Sequence, residues 1–319
     1  MAVLLVVGAC SPDDTLASTT SVVPTSTPNS TPTPTTSATV PPATTTTVEP
    51  TTTTEHAPTT TGPVLLPGDW ANQPLIVSAF GALGWRDGSS WVQVESTTSL
   101  PVEGGEDYQV ARLGVEATTT AGPETLMCEP VGTPGVELAE PELLGEWPGP
   151  YGVAISAPWE LVPHVVEEIE DNGTYAGFAA QLLAARGLNV AEPEVKQLIR
   201  ADLEGDGVNE VIVVAEHLED GLSPLASSGD YSIAFMRKVV DGEVQTAILG
   251  EAVITDPGTP DDPELNLALA IGAVADLSGD GKMEVVVSTA YYEGLSVEVW
   301  EYFNDDFGMI PAVTAGCGA

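Results

Sequence analysis

Basic side chains are scarce in this sequence. Eight Lys and Arg stand against 47 Asp and Glu in 319 residues, a formal net charge of −39. Such a balance repels nucleic acid and anionic lipid surfaces, so neither is an expected partner, and it attracts divalent cations. Adaptation to a salty environment would leave the same mark and is compatible with cation binding. Histidine is rarer still: His56, His164 and His217 are the whole set. His217 ends a predicted strand near Glu216, Glu219 and Asp220 and reads as a satisfied surface residue rather than a base or ligand. There is no nucleophile elbow, no HExxH, no phosphate loop and no dinucleotide fingerprint. No apolar run has the length to span a bilayer as a helix. Six tryptophans could line a sugar-binding face, but core packing is the expected use for most of them. The pair Glu167-Glu168 carries no catalytic weight in a chain this acidic.

Cysteine is limited to three positions. Cys10 ends the apolar run Val3-Leu4-Leu5-Val6-Val7-Gly8-Ala9 and resembles a bacterial lipobox, where the signal is cut before a cysteine that then carries lipid. A secretory signal has a basic n-region; the nine residues before Cys10 contain none. Either residues 1–10 are the remnant of a longer signal with its lipobox, which would anchor the chain to the membrane on its extracellular face, or this is not a lipobox; the Thr/Pro tract directly behind the cysteine favours the first. Cys128 and Cys317 remain. Outside the cytoplasm they would form one disulfide; otherwise they are two buried thiols.

Residues 11–63 are almost entirely Thr, Pro, Ser, Ala and Val, without Lys, Arg or a large aromatic. Such a segment cannot bury enough surface to offset its chain entropy, and it reads as a disordered stalk. In extended polyproline geometry its roughly fifty residues would reach on the order of 150 Å, enough to cross a thick cell wall. Residues 64–194 read as a β-rich part with two helices. Trp91–Glu95 and Tyr108–Leu113 alternate as strands do, amid many Gly and Pro. A first helix is expected from Pro158 to Glu170, with Val162, Val165, Val166 and Ile169 on one face and Pro163 in an awkward place. A second follows Thr174, with Tyr175, Phe178, Ala179, Leu182 and Leu183 at helical spacing and Gly187 as terminator.

From Val195 the period changes to that of strands. Val195–Asp202, Glu210–His217, Tyr231–Val240 and Val244–Ile254 form one expected meander, with Asp241-Gly242 as a tight turn. Leu267–Ala275, Glu284–Tyr292, Ser296–Phe303 and Met309–Val313 form a second. Between the first two strands of each set the pattern A-D-L-x-G-D-G-x-x-E-V-[IV]-V recurs, its copies starting 74 residues apart at Ala201 and Ala275. Calcium takes six to eight oxygens, and residues 1, 3 and 5 of a tight turn can converge on it. A glycine at position 6 permits the bend, a carbonyl at 7 adds an oxygen and position 9 closes the shell. In loop one these are Asp202, Glu204, Asp206, the Val208 carbonyl and Glu210. In loop two they are Asp276, Ser278, Asp280, the Lys282 carbonyl and Glu284. An EF-hand begins the same way but needs a bidentate Glu at position 12; Val213 and Val287 stand there. Asp/Gly turns without metal are the plainer reading, which the doubled register argues against.

Both loops resemble the calcium loops of FG-GAP or VCBS-type repeats, known from integrin-like β-propellers and bacterial surface proteins. Glu204 and Ser278 depart from the usual Asp or Asn at position 3, and two copies are too few to close a propeller. The resemblance implies an α+β, mostly β fold, with two four-stranded, propeller-blade-like antiparallel meanders plus two helices. Residues 195–319 would be the two-repeat calcium region, with Ca2+ as a structural ion. The expected function is a non-enzymatic cell-surface module with a structural, ligand-binding or adhesive role toward a cell-wall or extracellular ligand. The alternative is a secreted carbohydrate-active hydrolase, which would show a cleft with paired carboxylates about 5–10 Å apart. By carboxylate count, four against three, loop one should bind calcium more tightly than loop two.

Overall fold

The structure is a computed structural model that describes residues 73–318, apart from 101, 131, 171–172, 241, 260–261 and 304–307. The Cys10 lipobox, the 11–63 stalk and Asp241 of the expected turn lie outside the described residues.

Seven strands come first: β1 (Ile76–Ser78), β2 (Gly81–Asp87), β3 (Ser90–Gln93), β4 (Asp107–Arg112), β5 (Val115–Met127), β6 (Thr133–Leu138) and β7 (Val153–Ile155). They form one sheet in the order β3-β2-β1-β7-β4-β5-β6. After β8 (Val166–Glu168) and α1 (Thr174–Ala185) come β9 (Val195–Ala201), β10 (Glu210–His217), β11 (Tyr231–Val240) and β12 (Glu243–Val253). These pair as β12-β11-β10-β9-β8. A two-residue ladder joins β13 (Gly258–Thr259) to β14 (Asp262–Pro263). The last sheet is the meander β15 (Ala268–Ala275), β16 (Glu284–Tyr291), β17 (Gly294–Phe303) and β18 (Gly308–Gly318). The protein is thus mostly β, and its antiparallel sheets do not close into a barrel.

Side-chain alternation stacks the sheets. Val286 of β16 and Val297 and Val299 of β17 face Ile76, Leu83, Val110 and Ile155 of the seven-stranded sheet. Their neighbours Val285 and Val287 turn the other way, toward Ile199, Ile212, Val214 and Met236 of the five-stranded sheet. The four-stranded sheet is therefore the central layer, buried on both faces, which is why β16 reads as an unbroken β-branched run. On the far face of the five-stranded sheet, Ala179 and Leu183 of α1 cover Leu198, Val213 and Phe235. Cys128 and Cys317 are joined as a disulfide, with Cα atoms 5.5 Å apart, tying the end of β5 to β18.

Two expectations need correction. The segment expected as the first helix, Pro158–Glu170, is not helical; among the described residues α1 is the only α-helix. Residues 157–165 run as an irregular strap into β8, which adds a fifth strand to the first meander. Pro163 has no amide hydrogen to give a helix and disfavours helical geometry at Val162. The strap's polar groups are satisfied across the fold instead. Gln109 Nε2 donates to the Ala157 and Trp159 carbonyls, and the Leu161 carbonyl accepts from Asp276 N at 2.7 Å. The second correction concerns the cap of α1. Its N-cap is Gly173, in left-handed geometry at φ 90°, and Thr174 is the first helical residue.

Candidate metal centre

The two aspartate loops occupy equivalent places. Loop one joins β9 to β10, closed by the pair Ala201↔Glu210; loop two joins β15 to β16, closed by Ala275↔Glu284. The loops touch: Met283 N donates to the Leu203 carbonyl at 2.7 Å. The strap passes over both. His164 Nε2 lies 3.1 Å from the Gly281 carbonyl, and Trp159 Nε1 donates to the Asp276 carbonyl at 2.9 Å.

Each repeated letter of the motif has a local task. The position-1 carboxylate gathers the turn. Asp202 accepts from Asp206 N and Gly207 N at 3.0 and 2.8 Å, and Asp276 from Gly279 N and Gly281 N at 2.6 and 3.0 Å. The position-5 aspartate accepts from the amide two residues on, Val208 N or Lys282 N. The position-9 glutamate reaches back to the position-2 amide, from Glu210 to Leu203 N at 2.8 Å and from Glu284 to Leu277 N at 2.7 Å. Leu203 and Leu277 are themselves buried. Glycine is required at position 4 as well as position 6: Gly205, Gly207, Gly279 and Gly281 have φ of 71°, 83°, 77° and 86°. The position-4 requirement stood in both copies of the motif but emerges only with the strap in place. A Cβ on Gly205 would meet His164 Nε2 at 2.6 Å, and one on Gly279 would meet the Trp159 ring at 3.0 Å.

The electrostatics of the two loops differ. In loop two Asp276, Asp280 and Glu284 form no salt bridge among the described residues. Burial pushes Glu284 up to about 8; the Leu277 amide opposes this, while the charges of Asp276 and Asp280 add to it. Asp276 is likewise raised, first by burial, with amide bonds from Gly279 and Gly281 opposing and the Asp280 charge adding. The Ser278 hydroxyl is buried without a geometrically complete hydrogen bond, close enough to Glu284 only to temper its shift.

Loop one holds a protein cation. Lys238 of β11 places its ammonium against Glu204, 3.0 Å from Glu210 Oε1 and 3.3 Å from Asp206 Oδ2. The Tyr302 ring centroid lies 5.2 Å from the same nitrogen. Nothing in the loop motif announces Lys238, which is 36 positions beyond Asp202. Burial raises Glu210 to about 7, against the Leu203 amide, with Asp206 and Asp202 adding to the rise.

The expected ligand residues do not form a finished coordination shell in either loop. Among the described residues no three His, Cys, Asp or Glu side chains stand together at metal-holding geometry. Carboxylate oxygens that would face an ion accept backbone amides instead. Loop two fits a cation on chemistry: three neighbouring carboxylates, a buried hydroxyl short of a complete hydrogen bond and, among the described residues, no salt bridge to any of the three. Loop one does not, because an ammonium already meets three of its four carboxylates.

Two grooves flank the strap. One, of about 720 Å³, lies between Val162, Val166 and β4–β5; the other, of about 830 Å³, runs along Glu160–Val166 beside Val115 and Thr118. Their linings mix aliphatic side chains with charged ones, Arg112, Glu116 and Glu168 in the first and Glu116, Glu160 and His164 in the second. In comparisons with known proteins, the chain matches no family, no curated protein and no solved structure.

Proposed function

We propose that this chain is a calcium-stabilised, non-enzymatic surface module, held to the membrane by lipid on Cys10 and raised by the 11–63 stalk. The observation that carries the calcium reading is loop two. Asp276 and Glu284 are buried beside the exposed Asp280, and among the described residues none of the three carboxylates forms a salt bridge. A divalent ion would remove the mutual repulsion that drives their proton affinities up. It would tie β15 to β16 across a charged turn. Asp276, Asp280 and Glu284 would supply charged oxygens, Ser278 its hydroxyl and Lys282 its carbonyl.

Thermal melts of the full chain test the metal at matched ionic strength, since so acidic a protein responds to salt alone. Extracellular calcium sites bind at about 10⁻⁴–10⁻³ M. At ten times the dissociation constant, one site adds roughly 1.4 kcal/mol. Calcium should raise the midpoint and a chelator reverse it; identical midpoints would sink the reading. For the anchor, metabolic labelling with a fatty acid should mark the wild type and not Cys10→Ser.

A further inference from the structure

We propose that the Lys238 ammonium is the resident cation of loop one, so that the chain takes a single calcium ion, in loop two. The count of one rests on the calcium reading above; the role of Lys238 does not.

Val211 pairs with Arg237 across β10 and β11, which sets Lys238 opposite Glu210 on the same face of the sheet. That face packs on the four-stranded sheet, so Lys238 is enclosed, with 6% of its side chain exposed and Glu210 fully buried. A lysine is not enclosed this way without compensating anions. The three carboxylates of Glu204, Asp206 and Glu210 surround the ammonium as ion pairs, and Asp206 also accepts a hydrogen bond from it. Tyr302 closes the remaining side with its ring. Calcium would have to displace an ammonium that is tethered, at no cost in free-ion concentration. It would also leave that ammonium among apolar neighbours such as Tyr302.

The second copy shows the contrast at the same register. Val285 pairs with Trp300, so the residue opposite Glu284 is Glu301. Its carboxylate is taken by Arg86 Nη1 at 2.6 Å and Trp91 Nε1 at 3.0 Å from the neighbouring sheet. One copy thus places a cation beside its loop glutamate and the other an anion. The order expected from carboxylate number is reversed: the richer loop is the neutralised one.

Calorimetric titration of calcium into the full chain tests this with three proteins. Wild type should bind one ion, and Asp280→Asn should lose it, weakening at least tenfold. Lys238→Met keeps the length and removes the charge, and should gain a second site while keeping the first. If this variant folds only with calcium present, that dependence is the same result read through stability. Two sites in wild type, or one undiminished site in D280N, would overturn the proposal whether or not K238M folds. No binding by wild type would overturn the calcium reading of loop two instead. The role of Lys238 would then stand if K238M acquires a site, and fall if it acquires none.

Discussion

At the residue scale, the two glycines of each loop separate backbone strain from crowding. Gly281 has left-handed geometry with nothing within 4 Å of a built Cβ, so Gly281→Ala carries only the backbone cost, about 1–2 kcal/mol. Gly279 has the same geometry with the Trp159 ring at 3.0 Å, so Gly279→Ala should destabilise more. Urea midpoints of the two variants would show the order, and equal losses would mean that the ring simply moves. Glu284 makes a prediction of its own. Its folded pKa, about 8, lies above the ordinary 4.5, so the metal-free folded state holds a proton that the unfolded chain releases. The stability this gives is fully present below about pH 4.5 and is lost as pH rises through about 8. In chelator, denaturation free energies should therefore fall across that window, and Glu284→Gln should flatten the fall. Calcium should flatten it too, and should bind more tightly as pH rises, because ion and proton compete for one carboxylate.

At the scale of elements, the strap 157–165 joins the two loops to the seven-stranded sheet. Trp159 stacks on Gly279, donates to the Asp276 carbonyl and offers its own carbonyl to Gln109. Trp159→Ala should cost about 3 kcal/mol, the low end for a large aromatic because the ring is only partly buried. It should also weaken calcium binding by loosening the turn, which titration calorimetry would register beside the melt. A strap that served only packing would shift the melt and leave the affinity alone. The expected helix in this segment rested on Val162, Val165, Val166 and Ile169, whose spacing suits a helix face. Val162 and Val165 are exposed in the structure. Helical spacing is a necessary sign of a buried helix face, not a sufficient one, and Pro163 outweighed it.

At the scale of the whole molecule, the disulfide closes the longest covalent loop in the described residues. Cys128 and Cys317 are 189 positions apart, linking the end of the first sheet's β5 to the last strand of the central sheet. By loop-closure entropy such a bridge contributes up to roughly 4–5 kcal/mol. Reductant should lower the melting midpoint by several degrees, and intact mass should rise by the two hydrogens of a reduced pair. An unchanged midpoint after verified reduction would show that sheet stacking alone holds β18 in place. The stack also explains a cost the protein bears. The chain's 47 acidic groups repel one another and only eight Lys and Arg oppose them, so every internal cation counts.

Much of the β region was legible before the fold was known. The strands Glu210–His217 and Tyr231–Val240 and the loop residues at positions 1 to 9 follow from alternation, β-branched runs and Asp-Gly turns. Those signals are local: the backbone geometry of a tight turn or strand depends on residues within a few positions. Lys238 could not be read that way. Its meeting with Glu204, Asp206 and Glu210 depends on how β11 pairs with β10 and which face then turns inward. The same holds for the strap over both loops and for Arg86 holding Glu301 across 215 positions. Sequence alone determined where the two aspartate turns lie, because such a turn is a local structure. Tertiary structure alone decided how their charge is balanced, because register and burial choose which distant ammonium reaches which carboxylate.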